Sequence, residues 1–184
     1  MPRERLTIDL TIVRDYFAVD DEQRRERHEQ AVLLFALLAA GEVEFAIAPQ
    51  GHRLDAEGSL AEQLRTLFAS EGIEEARQLA YPSEVTYPGA DLFPGQYVDG
   101  FAEAWELIVA TWQSHERKPP ESADALHVET HVLEERDFFI TDDLALLTMC
   151  RRLRDEHEIP VEAMSVGDYL ASRKVDGPGG EPNA

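Results

Sequence analysis

The sequence predicts an α/β fold built on a central, mainly parallel sheet. Two observations carry that expectation. The short apolar runs LTIDLTIV, VEFAIAP and FFIT lack the polar alternation of a half-exposed strand, and strands buried on both faces are the mark of parallel sheets, whose crossover helices cover both sides. Between these runs lie helix-length stretches that open on Ser or Asp, so strands and helices alternate along the chain.

Taken in order, residues 6–13 read as the first strand, with Asp9 inside it or near its end, and residues 14–19 as a short helix or turn. Asp20 and Asp21 suit the cap and first turn of a long helix reaching Ala40. Its first half, DEQRRERHEQ, reads as an exposed face and AVLLFALLAA as the buried half. Gly41 suits the stop, and residues 43–49 form a second buried strand. After a polar loop at 50–58, Ser59 caps SLAEQLRTLFAS with Glu62 at the capping-box position. A further helix is expected around 73–79. Residues 81–100 carry repeated Pro, Gly and aromatic residues, a long loop of the kind that tends to be functional or variable.

Residues 101–115 then read as an amphipathic helix, with Trp105 and Trp112 one heptad apart on a core-facing stripe. ERKPPES breaks it, and Ser122 caps a helix over 123–135. A strand at 138–141, a helix at 144–156, a strand at 161–164 and a helix at 166–172 complete the pattern. One domain is expected over residues 1–174, followed by a tail, 175–184, whose closing DGPGGEPNA has no means of packing.

Composition narrows the chemistry. The chain has 184 residues, 43% hydrophobic and 29% charged, with 17 basic against 37 acidic side chains and a net charge of −20. Such a field repels polyanions at long range, so a nucleic-acid substrate would need a local basic groove, a divalent cation or a basic partner. An acidic, soluble surface explains the same charge without any partner. Lys118 and Lys174 are the only lysines. The lone Cys150 cannot form an internal disulfide, fits a reducing compartment and follows an apolar helical run, which suits a buried structural thiol. AVLLFALLAA is too short to cross a bilayer and no leader pattern opens the chain. The expected location is the cytoplasm, with no membrane partner.

Acids sit where parallel sheets place their ligand sites, beyond the carboxyl ends of the strands. Asp9 belongs to the first strand, Asp142 and Asp143 follow FFIT, and Asp124 opens a late helix. Carboxylates meeting there need a counter-charge, and Mg²⁺ or Mn²⁺ supplies one through oxygen ligands. Such clusters hydrolyse phosphodiesters by activating water and stabilising phosphate charge. Each acid also has a structural explanation. Asp9 could bond a helix N-terminus, Asp124 complements a helix dipole, Glu62 fits a capping box, and Asp142 or Asp143 could cap the next helix.

The segments LTIDLTIVRDYF, DALHVETHVLEERDFFITDD and IPVEAMSVGDYL follow one another in the order and rough spacing of the PIN domain family. The chain resembles that family, the metal-dependent ribonuclease fold of VapC-type toxins, over about a third of its length. The resemblance implies a three-layer α/β/α sandwich and an Mg²⁺- or Mn²⁺-dependent endoribonuclease. It matches Asp9 to the family's first acid, Asp124 to the acid opening the late helix, and Asp143, with Asp142 able to share the role, to the acid after the strand. LAEQL resembles the family's LAEL and makes Glu62 the second acid, with Glu57 its rival. The resemblance departs from the family at Leu10, where a small hydroxyl or amide residue is usual, and in the insertion at 50–58. Implied partners are RNA and an antitoxin protein, and dimers are common in such folds. A scaffold with an altered acid set could instead serve only to bind protein.

Two further patterns compete for attention. Asp124, His127 and His131 share one helical face, although His131 stands about 10 Å along the axis from Asp124. Packing or solvent exposure explains the histidines better than a metal site. Arg151, Arg152 and Arg154 form the densest basic cluster near the acids; they could meet phosphate or pair with Glu156 and Glu158. LTIDLTIV also resembles the first motif of haloacid-dehalogenase-like phosphatases, with Lys118 in tolerable order. That chemistry needs a second Asp as general acid, and the position holds Thr11; the glycine expected before the late Asp is Thr141.

Overall fold

Five strands line up in the order β3-β2-β1-β4-β5, and every pairing is parallel. They are β1 (Glu4–Ile8), β2 (Val43–Ile47), β3 (Glu74–Glu75), β4 (Phe138–Ile140) and β5 (Ala163–Met164). The helices are α1 (Leu10–Tyr16), α2 (Arg25–Ala39), α3 (Ser59–Ser70), α4 (Phe101–Ala110), α5 (Ser122–Leu133), α6 (Leu144–His157) and α7 (Val166–Val175). The computed structural model describes residues 3–47, 59–70, 74–75, 98–112 and 122–175. Leu6 pairs with Phe45 on one side and Phe138 on the other, which makes β1 the central strand.

Side-chain alternation along β1 divides the molecule into layers. Leu6 and Ile8 join one core with Leu34 and Phe35 of α2, Leu64 and Leu67 of α3, and Val166 and Tyr169 of α7. Phe139 joins a second core on the opposite face, with Trp105 and Ile108 of α4, Val128 of α5, and Met149 and Cys150 of α6. The result is an α/β/α sandwich with a parallel sheet between its helical layers, as the strand–helix alternation implies. α7 is tied back to β1 by Tyr169 Oη, which donates to Glu4 at 2.7 Å, and by Arg173, which reaches Glu4 at 2.6 Å and Glu42 at 2.9 Å. Among the described residues no helix is long and apolar enough to cross a membrane.

Several boundaries differ from the sequence expectation. The expected strand over 6–13 ends at Ile8, and Leu10–Val13 is helical. Leu10, Ile12 and Val13 are buried in α1, and a short apolar run carries no periodicity that separates a buried strand from a buried helix. Within the helix expected around 73–79, Glu74 and Glu75 instead form β3, paired with Ala46 and Ile47; sheet pairing overrides local helix preference there. AVLLFALLAA is only partly buried: Ala31, Leu34 and Phe35 meet the core, while Val32 and Leu33 are 41% and 53% exposed. A helix lying on one face of a sheet buries a single stripe. α4 stops at Ala110, so Trp105 is in the core from within the helix and Trp112 packs against it from just beyond. Cys150 is wholly buried, which pushes its thiol up to about 12. The expected loops at 50–58 and 81–97 and the tail after Val175 lie outside the described residues.

Gly41 stops α2 with φ at 70°, its N–H donating to Leu38 O at 2.9 Å. A Cβ there would approach nothing closer than Arg3 Nη2 at 3.5 Å, so the penalty of a side chain is conformational. Gly41→Ala is expected to lower stability by about 1 kcal/mol, measured as a shift of the urea midpoint at unchanged m-value.

Candidate functional site

The strand order reverses direction between β1 and β4, because the chain builds outward from β1 through β2 and β3 before crossing back to β4. Crevices at such switch points, beyond the carboxyl ends of the strands, are where open α/β sheets bind ligands. Asp9 ends β1 there, its N–H donating to Ile140 O at 3.0 Å. It stands at the N-cap of α1, with extended φ −74° and ψ 151°, and its carbonyl accepts from Ile12 N at 3.1 Å. Its side chain does not cap the helix. Thr11 Oγ1 and Thr141 Oγ1 donate instead to Asp9 Oδ2 at 2.7 and 2.9 Å. The residue is 5% exposed.

Thr141 joins the two strand ends. Its buried hydroxyl donates to Asp9 and accepts from Asp143 N at 3.1 Å. Asp143 caps α6, with Oδ1 accepting from Ala145 N at 2.7 Å and Leu146 N at 3.3 Å. Asp142 turns to the other helical layer, where its Oδ1 accepts from Val166 N, the first residue of α7, at 3.1 Å. Asp9, Asp142 and Asp143 are thus each anchored through one carboxylate oxygen, and the second carries no hydrogen bond among the described residues.

Asp124 approaches from α5, which runs opposite to β1. The far end of α5 meets the start of that strand, where Arg5 Nη1 donates to Glu134 O at 3.1 Å. His131 Nδ1 lies 3.0 Å from Thr7 Oγ1. Thr7 to Asp9 is about 6.6 Å along the strand, and His131 to His127 is about 6 Å along the helix. His127 is therefore level with Asp9, and half-buried Asp124 follows about one turn further toward the same end of the sheet. His127 and His131 are both buried, His131 edge-on to Phe139 with ring centroids 5.7 Å apart. They are packed side chains, as their spacing suggested. Burial, reinforced by the nearby Arg136 charge, pushes the His131 imidazole down to about 4.

Glu62 is exposed in the first turn of α3, where its carbonyl accepts from Thr66 Oγ1 at 2.9 Å. No hydrogen bond links its carboxylate to the other acids among the described residues. Glu57 and Lys118 lie outside those residues. Two of the three clustered arginines on α6 are engaged elsewhere, and Arg151 is exposed. Arg152 bonds Glu156 and Thr111, and Arg154 bonds Asp155 and Glu162. These residues sit about 12 Å or more down the helix from its N-terminus.

Asp15, Glu129 and Thr141 are among the buried polar residues to which sequence reading gave no role. Asp15 of α1 is 3% exposed and receives Arg24 Nη1 at 3.2 Å; burial raises its carboxyl, opposed by Arg24 and Arg27 and reinforced by Asp142. Its place three residues after Ile12, on the buried stripe of a helix, was the available signal, and reading 6–13 as a strand hid it. Glu129 is wholly buried on α5 and accepts from Val98 N at 3.2 Å, holding the turn that enters α4. Thr141 was named only as standing where a phosphatase would carry glycine.

Among the described residues no three His, Cys, Asp or Glu side chains stand close enough together to hold a metal ion. Compared with known protein families and with curated proteins, the chain matches none.

Thr141→Val keeps the shape but removes the hydroxyl, leaving Asp143 N and Asp9 Oδ2 each short of a bond. A loss of about 1–3 kcal/mol is expected, with Thr141→Ser retaining most of the stability in the same urea titration. His131 sets a pH dependence. Above pH 6.5 it is neutral folded and unfolded. Below 6.5 the unfolded chain gains a proton that the folded chain refuses, so stability falls, approaching about 3 kcal/mol by pH 4. Unfolding titrations between pH 7 and 4.5 should show this slope in the wild type and a shallower one in His131→Gln.

Proposed function

We propose that this chain is a metal-dependent endoribonuclease of the PIN type, hydrolysing RNA phosphodiesters to leave 3′-hydroxyl and 5′-phosphate ends. The observation that carries the reading is the set of acids at the switch point: Asp9, Asp142 and Asp143, each fixed through one oxygen with the other uncommitted. Their donors are all carboxylate oxygens, which suits Mg²⁺ or Mn²⁺ and not a softer metal. Asp9, Asp124 and Asp143 would hold the ion after side-chain rotation draws their carboxylates together, since no three acids stand close enough as they are placed among the described residues. Asp142 would support them from beside Asp143. Glu62, exposed in the first turn of α3, is the further acid that the resemblance offers. When bound, the ion supplies an activated water and balances charge on the phosphate. The chain's own residues orient the acids: Thr11 and Thr141 fix the Asp9 carboxylate, and the α6 amides fix that of Asp143. An antitoxin would silence such a site most simply by presenting Arg or Lys where the metal's charge is needed.

Asp143→Asn separates the two roles of that residue, because Asn caps a helix as well as Asp does but loses the charge. With Mn²⁺, wild-type protein should cut single-stranded or structured RNA, while Asp9→Asn and Asp143→Asn fall to background with a melting temperature within a few degrees of wild type. Absence of metal-dependent cleavage by the wild type sinks the proposal.

One observation favours a second reading, that of a protein-binding module. A groove of about 500 Å³ lies between the end of α1 and the outer face of α2, lined by Tyr16, Phe17, Val32, Phe35 and Ala36. An amphipathic helix with a basic flank would match both this lining and the net charge of −20. This occupant is compatible with the nuclease reading if it is the antitoxin, and replaces it if no RNA is cut.

A further inference from the structure

A chain carrying −20 charges must offset its own field wherever a phosphate backbone is to approach. On α6, Arg152 and Arg154 are bound to acids and to Thr111, and Arg151 lies about 10 Å down that helix from its N-terminus. A different pair lies at the start of α2. Arg24 is fixed by Asp15 at 3.2 Å and Asp21 at 3.4 Å, with its side chain still 46% exposed. Arg27, one turn further along, is exposed and forms no ion pair or hydrogen bond among the described residues.

Packing brings this end of α2 beside the acids. Asp142 holds the first amide of α7 through Val166 N at 3.1 Å. The next residue, Gly167, lies against Gln30 of α2, such that a Cβ there would stand 3.4 Å from Gln30 Nε2. Arg27 precedes Gln30 by three residues, on the same face and about 4.5 Å nearer the helix start. α2 descends from the carboxyl end of β1 to the amino end of β2, so its start lies toward the end of the sheet where Asp142 is. Asp15, bonded to Arg24 at 3.2 Å, is near both groups: burial raises its carboxyl, Arg24 and Arg27 oppose that shift and Asp142 adds to it.

We propose that Arg27, with Arg24 beside it, binds an RNA phosphate adjoining the one at the acid site, on the side of the crevice formed by α2 and the start of α7. The assignment rests on the ribonuclease reading and adds to it the path that the substrate takes. The acids repel the backbone and the arginines hold it, so the strand would pass from the carboxylates toward α2. Arg24 is committed to Asp15, which makes Arg27 the residue that can turn to a ligand without uncovering a buried acid.

The test uses the full chain and a fluorescein-labelled single-stranded RNA oligonucleotide of mixed sequence. Its affinity is followed by anisotropy in EDTA over a range of salt, with Mn²⁺-dependent cleavage measured in parallel. Arg27→Gln should weaken binding several-fold and reduce the slope of log K against log salt by about 0.7, the share of one single-strand phosphate contact. Arg27→Lys should restore most of the affinity. In cleavage, Arg27→Gln should raise KM with kcat unchanged. Wild-type affinity and slope in Arg27→Gln, with the wild type still cutting RNA, overturn this inference and leave the ribonuclease reading standing. A wild type that neither binds nor cuts the oligonucleotide overturns both.

Discussion

The hydrogen bond from Thr141 to Asp9 joins the two halves of the sheet at the point where its strand order reverses. A carboxylate this deeply buried must find partners, because an unpaired buried charge is strongly unfavourable. Here the partners are hydroxyls, which satisfy the carboxylate without neutralising it. The ends of β1 and β4 therefore keep a negative field, and α6 starts in register with it because the same hydroxyl accepts from Asp143 N. An arginine in place of these threonines would have been the more obvious way to stabilise Asp9, and it would have cancelled that field.

Consecutive acids after β4 start two helices in opposite layers: Asp143 opens α6 and Asp142 opens α7. The helix caps thus leave the same side chains open to a ligand. In each case the helix takes one oxygen and the other stays uncommitted among the described residues. A capping role and a metal role are therefore not alternatives at these positions, although from sequence they compete.

The layered architecture was legible because strands buried on both faces read as unbroken apolar runs, and FFIT followed by DD gave both the strand and its acids. What failed was local. LTIV after Asp9 is apolar enough for either strand or helix, and the helix won because α1 buries Leu10, Ile12 and Val13 together. Val32 and Leu33 read as core since AVLLFALLAA is apolar on every side, and composition cannot say which stripe the sheet will cover. Glu74 and Glu75 pair at the sheet edge, a tertiary choice that no local propensity announces. At the site, the acids at strand ends were readable from position alone. Thr141 and Asp15 were not, because their importance lies in partners 132 and nine residues away.

That separation of 132 residues has a consequence for how the protein is made. β1 leaves the ribosome well before β4, one of its two neighbours in the sheet. At bacterial or eukaryotic elongation rates the interval is on the order of ten seconds. Throughout it the Asp9 carboxylate has neither Thr141 nor Asp143 beside it. The crevice at the ends of β1 and β4 is therefore assembled only once β4 and the residues after it have been made.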